Sequence, residues 1–215
     1  MPRILIAAFL LLVVGACGPF GSIGTPAATA SSVAVQSSDL PNGMHRCDLS
    51  GNINDYLKKI QTKDPATYTT IKEQWAAAQK DGATEADVEF YTDSAAHCNA
   101  LESNGSQIGT ATYKLVVNFD FKFKDQASAE KGYSSDSIFG FSAASLKSSQ
   151  VPVVEGTATG LGANSIVLTI AIAISNQTFY VAVWQNKEFM VILGLLNIDS
   201  AADKKIAQAE NGRIH

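Results

Sequence analysis

The chain has 215 residues, 16 basic and 20 acidic side chains, a net charge of −4, 46% hydrophobic and 17% charged residues, and three cysteines. That apolar content excludes a disordered chain, and the length suits one domain with a sizeable core. The acidic balance, with arginine only at positions 3, 46 and 213, excludes a nucleic-acid binder, and three cysteines are too few for a disulfide-dense miniprotein or a four-cysteine zinc site.

Residues 1–16 read as an export signal. Arg3 supplies the charge, Ile4 to Val14 is an unbroken apolar run, and Gly15 and Ala16 are the small residues before a cut. The run is shorter than the ~20 residues that a membrane-spanning helix needs. Val14-Gly15-Ala16-Cys17 resembles the lipobox of bacterial lipoproteins, an aliphatic residue and two small residues before cysteine. The resemblance implies that Cys17 becomes the first residue of the mature chain and is lipidated. Diacylglyceryl attachment would then hold the protein to the outer face of the cell membrane, since stable anchoring takes more than one acyl chain.

Gly18 to Leu40 is rich in Gly, Pro, Ala, Ser and Thr, and only Asp39 is charged. We read 17–40 as a passive flexible tether spanning roughly 30 Å and 41–215 as a single extracytoplasmic domain.

The domain begins with helical spacing. Asn54 to Thr62 carries Tyr56, Leu57 and Ile60. Asp64-Pro65 is a cap followed by a first-turn proline, and Tyr68, Ile71, Trp75 and Ala78 line one face up to Asp81-Gly82. A third helix is predicted from Thr84, on Val88, Tyr91, Ala95, Cys98 and Leu101, with Thr92-Asp93-Ser94 as the point where it could break in two. With Cys17 taken by lipid, Cys47 and Cys98 are the remaining pair, and an oxidising compartment favours a disulfide between them. Closing that loop would contribute about 4 kcal/mol in the chain-entropy account. A reactive thiol is the alternative. Adjacent helical residues diverge by about 100°, so His97 is poorly placed as a base for Cys98.

Tyr113 to Lys124 alternates. Leu115, Val117, Phe119, Phe121 and Phe123 oppose Lys114, Asn118, Asp120, Lys122 and Lys124, which reads as a strand with one wet face. A helix follows from Asp125 to Ser134, then a loop-rich stretch over Ser142 to Gly162. Ser165 to Ile174, Thr178 to Gln185 and Glu188 to Asn197 read as antiparallel strands at hairpin spacing, apolar on both faces, so the second face needs a cover. A helix from Ser200 to Asn211 ends the chain. The expected fold is α+β: an N-terminal segment of about three helices, then β-α-β-β-β-α with a four-stranded antiparallel sheet covered by helices. Gly160-Leu161-Gly162, the hairpin and the closing Ala-rich helix resemble the extracellular sensor domains of PknH-type mycobacterial kinases and related lipoproteins. The resemblance spans 110–214 and implies an extracytoplasmic binding module. Those domains typically carry two disulfides, and this chain offers one.

No motif supplies chemistry. His45, His97 and His215 form no metal or triad spacing, no Gly-x-Ser-x-Gly elbow occurs, and Gly156 to Gly162 lacks the lysine of a phosphate loop. Neither a cofactor nor a metal is expected, and the protein is expected not to be an enzyme. The aromatic residues Phe139, Phe141, Phe179, Tyr180, Trp184 and Phe189 are the candidate binding group. They are either core or the lining of an apolar groove for a hydrophobic small molecule or a protein helix. The alternative function is a structural or assembly lipoprotein, a homodimer joined through the apolar sheet face.

Overall fold

The computed structural model describes residues 27–138, 140–172 and 177–215. The export signal, Cys17 and the first part of the tether lie outside them.

A short helix α1 (Ala30–Val33) and a 3₁₀ turn (Ser37–Asp39) lead into the two-residue strands β1 (His45–Arg46) and β2 (Gly51–Asn52). Helix α2 (Ile53–Lys63) starts where Asn52 accepts from the amides of Asn54 and Asp55, and α3 (Pro65–Lys80) where Asp64 accepts from Thr67. Strand β3 (Ala83–Thr92), helix α4 (Ala95–Ser103), strand β4 (Leu115–Phe123), helix α5 (Gln126–Ser135) and helix α6 (Ala143–Ser148) follow. The chain closes with β5 (Val153–Glu155), β6 (Ser165–Ile172), β7 (Gln177–Asn186), β8 (Phe189–Leu196) and α7 (Ser200–Asn211).

The fold is α+β, but the four-stranded sheet behind three helices is corrected. One antiparallel sheet of eight strands runs in the order β1-β3-β4-β8-β7-β6-β5, with β2 also paired to β3. The first half of the predicted third helix is β3, which pairs along its length with β4 from Ala83 opposite Phe123 to Thr92 opposite Leu115, while its second half is helix α4. Ala86, Val88 and Phe90 face one core, while Asp87, Glu89 and Tyr91 face the other way. This period of two outweighs the spacing of three and four that runs through Val88, Tyr91 and Ala95, because the spacing crosses the break at Thr92-Asp93-Ser94. Helix begins only where the Ser94 side chain accepts from the His97 amide. Within the expected loop of 142–162, the Ser142/Ser145 capping box starts α6, and β5 pairs with β6.

The sheet is the middle of three layers. Helices α2 to α6 pack on its first face around Tyr56, Trp75, Phe90, Phe119 and Phe121. The second face is covered by α7 and by residues 28–40. This corrects two readings. The tether is not a free linker from Ala28 on: Val33 and Val35 are buried on the sheet, and the small residues Ala28, Ala30 and Ala34 let the backbone approach closely. The Val35 amide donates to Asn118 Oδ1 at 2.9 Å, the Tyr91 hydroxyl to the Val35 carbonyl at 3.1 Å, and Lys122 to the Ala28 carbonyl at 2.7 Å. The face of β4 expected to be wet is accordingly dry at Asn118 and Asp120, both fully buried.

Candidate functional site

Cys47 and Cys98 form a disulfide with Cα atoms 5.2 Å apart, joining the segment between β1 and β2 to α4. His97 is turned elsewhere: its Nδ1 lies 2.5 Å from Asp93 Oδ1 and its ring stacks on Tyr113 at 4.0 Å.

The candidate aromatic group does not assemble. The sheet divides it, because neighbours along a strand point to opposite faces. Phe179 and Phe141 lie on the first face, whereas Tyr180, Trp184 and Phe189 belong to the second, where Trp184 and Phe189 are core. Phe139 lies outside the described residues. Phe141 and Phe179 do meet at a cavity of about 30 Å³, walled also by Ile108, Val117, Phe119 and Gly194 and almost wholly apolar. Gly194 makes the room. In the middle of β8, between β4 and β7, a side chain there would enter the cavity, and a Cβ would come no nearer than 3.8 Å to Val117. The wall opposite the sheet is short 3₁₀ and bridge structure, from Gly105 to Thr110 and at the Ile138–Phe141 bridge, with Gly140 at φ +79°. Irregular segments of this kind open at less cost than the strands behind them.

The second face holds a cluster of acids, of which strand alternation predicts only Asp120 as solvent-facing, Asp87 and Glu89 falling within the helix predicted from Thr84. Asp87 on β3 lies directly across from Asp120 on β4, and Glu89 across from Asn118. Glu210 reaches down from α7, accepting at Oε1 from Asn118 Nδ2 at 2.7 Å. Asp120 and Glu210 are fully buried. Among the described residues, no N–H donates to either oxygen of Asp120 or to Oε2 of Glu210, and the two carboxyls interact with each other. A proton held between them would satisfy one oxygen of each, as in other paired carboxyls. Burial, with Glu210 alongside, holds Asp120 well above the carboxylate range, and burial pushes Glu210 up to about 8. Burial and Glu89 lift Asp87 to about 6. The cations sit at the rim. Arg46 forms a two-toothed pair with Glu89 at 2.5 and 2.6 Å. Arg213 donates to the carbonyls of Val33 and Ala34 and to both oxygens of Asp39. The sequence did carry a signal for Glu210: it shares the buried stripe of α7 with Asp203, Ile206 and Ala207.

Among the described residues, no group of three or more His, Cys, Asp or Glu side chains is placed to hold a metal ion, and no helix is long and apolar enough to cross a membrane. No family model matches the chain, and no curated protein matches it. Among solved structures the chain is similar to the extracellular domain of PknH from Mycobacterium tuberculosis. The TM-score is 0.51 and the identity 11%, over 86% of this chain and 94% of that one. At that identity the likeness is one of fold.

Proposed function

We propose that the chain is a non-enzymatic extracytoplasmic binding module, held to the membrane by lipid on Cys17, that takes a hydrophobic small molecule between the first sheet face and the loops beneath Phe141 and Phe179. The apolar cavity at those two residues carries the reading. Its lining is of the type that small-molecule sites use, closed here to roughly the size of a methyl group and opened by swinging the Phe141 side chain outward. The Cys47–Cys98 bridge suits an oxidising compartment, and the fold likeness is to a domain described as extracellular. The cover of α7 and residues 28–40 on the second sheet face supports this reading over dimerisation through that face.

The test is titration of the full-length chain with a fluorescent fatty-acid analogue, beside a Gly194→Val variant whose fold is checked by circular dichroism. The added side chain fills the cavity, and probe affinity should fall by about tenfold or more. Equal affinity in a folded Gly194→Val protein would sink the cavity reading. Cys17→Ser should move the protein out of the membrane fraction, and continued membrane residence would defeat the anchor.

A further inference from the structure

The second sheet face is covered at its centre but not at its β5–β6 edge. Pro152 has no amide hydrogen to continue the ladder, so β5 pairs only from Val153. Strand β5 therefore stops at Leu168 of β6, and the first turn of α7 overhangs what remains. The result is an open cleft of about 220 Å³ between Val154, Val167, Thr169 and Tyr180 of the sheet and Ser200, Asp203 and Lys204 of the helix.

Asp203 marks this cleft as more than a surface dent. It is 3% exposed, and its Oδ1 has no hydrogen-bond partner among the described residues. Burial, with the Asp199 carboxylate nearby, lifts it to about 7. Leaving a buried carboxyl without partners costs about 1–3 kcal/mol or more, so such a group is retained where something else satisfies it. The hydroxyls of Tyr180, Thr169 and Ser200 line the same cleft, and none makes a hydrogen bond within the described residues. The rest of the sheet wall is aliphatic, Val154 and Val167, with Val154 47% exposed. Unspent polar groups set among apolar side chains in one concavity are the usual make-up of a small-molecule site.

We infer that this cleft binds a neutral, polyhydroxylated ligand of about one sugar ring. The volume is below the roughly 300–1,000 Å³ of drug-sized pockets and suits a single ring. Hydroxyl groups supply the donors that Asp203 lacks and match the three protein hydroxyls, each able to donate and accept. The C–H face of a sugar ring lies on Val154 and Val167. Charge selects against the alternatives. Asp199 and Asp203 repel a phosphate or carboxylate at this helix start, and Lys204 repels an ammonium group. The site lies on the opposite sheet face from the apolar cavity and does not depend on it.

The experiment is a ¹⁵N amide titration of the full-length chain with the methyl glycosides of glucose, galactose and mannose, each alone, and with glucose 6-phosphate and glucosamine as charged controls. At least one neutral glycoside should give saturable shifts at the amides of Val167, Thr169, Tyr180 and 201–204. Asp203→Asn should weaken that binding by about tenfold or more, as should the surface change Thr169→Val by a smaller factor, while Gly194→Val should leave it unchanged. No saturable shift up to about 10 mM, equal binding by Asp203→Asn and Thr169→Val, or tighter binding of either charged control would overturn the assignment.

Discussion

Replacing Glu210 by Gln should make the protein more stable in alkaline solution and nearly indifferent to the change in acid. The Gln carbonyl can keep the bond from Asn118 Nδ2, and its amide gives Asp120 the N–H that no residue now supplies. The sign follows from proton linkage. The folded state holds Glu210 protonated up to about 8, against 4.5 for the free side chain. Between those values the folded state binds more protons than the unfolded one, so stability is full below about pH 4.5 and is lost as pH rises through about 8. At about 1.4 kcal/mol per pH unit, that window is worth about 5 kcal/mol at most, and less once relaxation of the buried pair is counted. Asp120 moves in the same direction. The Gln variant removes the loss and lowers Asp120 by hydrogen bonding to its carboxylate form. Urea denaturation at pH 5, 7 and 9, followed by the fluorescence of buried Trp75 and Trp184 with the disulfide intact, reads this directly. We expect a gain of about 2–3 kcal/mol at pH 9 and within about 0.5 kcal/mol at pH 5. A parental protein that gains stability from pH 5 to 9, or a Gln variant destabilised equally at both, would refute the shared-proton account.

Arg213→Ala should cost about 2–4 kcal/mol, since it strands the buried side of Asp39 and two carbonyls of the 28–40 segment; amide exchange should accelerate at 30–40 well before the rest of the sheet. Gly132→Ala in α5 should destabilise by about 1–3 kcal/mol in thermal melts, although alanine is the better helix former by about 1. Its Cβ would sit 2.4 Å from the Phe123 ring, and a neutral or stabilising result would mean that the ring moves aside freely.

What was legible in the sequence follows from which physical rule each segment obeys. Helices α2 and α3 carry their own start signals in Asn52 and Asp64-Pro65, and a run of bulky residues on one face, so local spacing suffices. Strands β6, β7 and β8 were legible for the same reason, and the alternation that separates Val191 from Ile192 holds residue by residue. Strand β3 was not, because its polar members are Asp87 and Glu89. Acids in a strand read as solvent-facing or as helix-forming, and only Arg46 on Glu89 and the packing of the 28–40 segment on β3 show that they are inside. The same dependence hid the cover of the second face. Ala28 to Leu40 has the composition of a linker, and what folds it is the shape and hydrogen-bonding of a β4 surface some eighty residues away. The candidate aromatic group failed for a topological reason: proximity along a hairpin does not put Phe179 and Tyr180 on one side of a sheet.

The Arg213 clasp joins residues 180 positions apart, from its Nε to the carbonyl of Val33. The outer layer is therefore made from the two ends of the described domain and cannot close before residue 213 has been synthesised. Until then β3 and β4 expose Asp87, Glu89 and Asp120 to water, where carboxyls are ionised at neutral pH. Docking of α7 then has to bring a proton into the dry layer between Asp120 and Glu210. Contacts of such high sequence separation form late and slowly, so the last folding event of this chain should be a proton-consuming one, faster in mildly acidic surroundings than in alkaline ones.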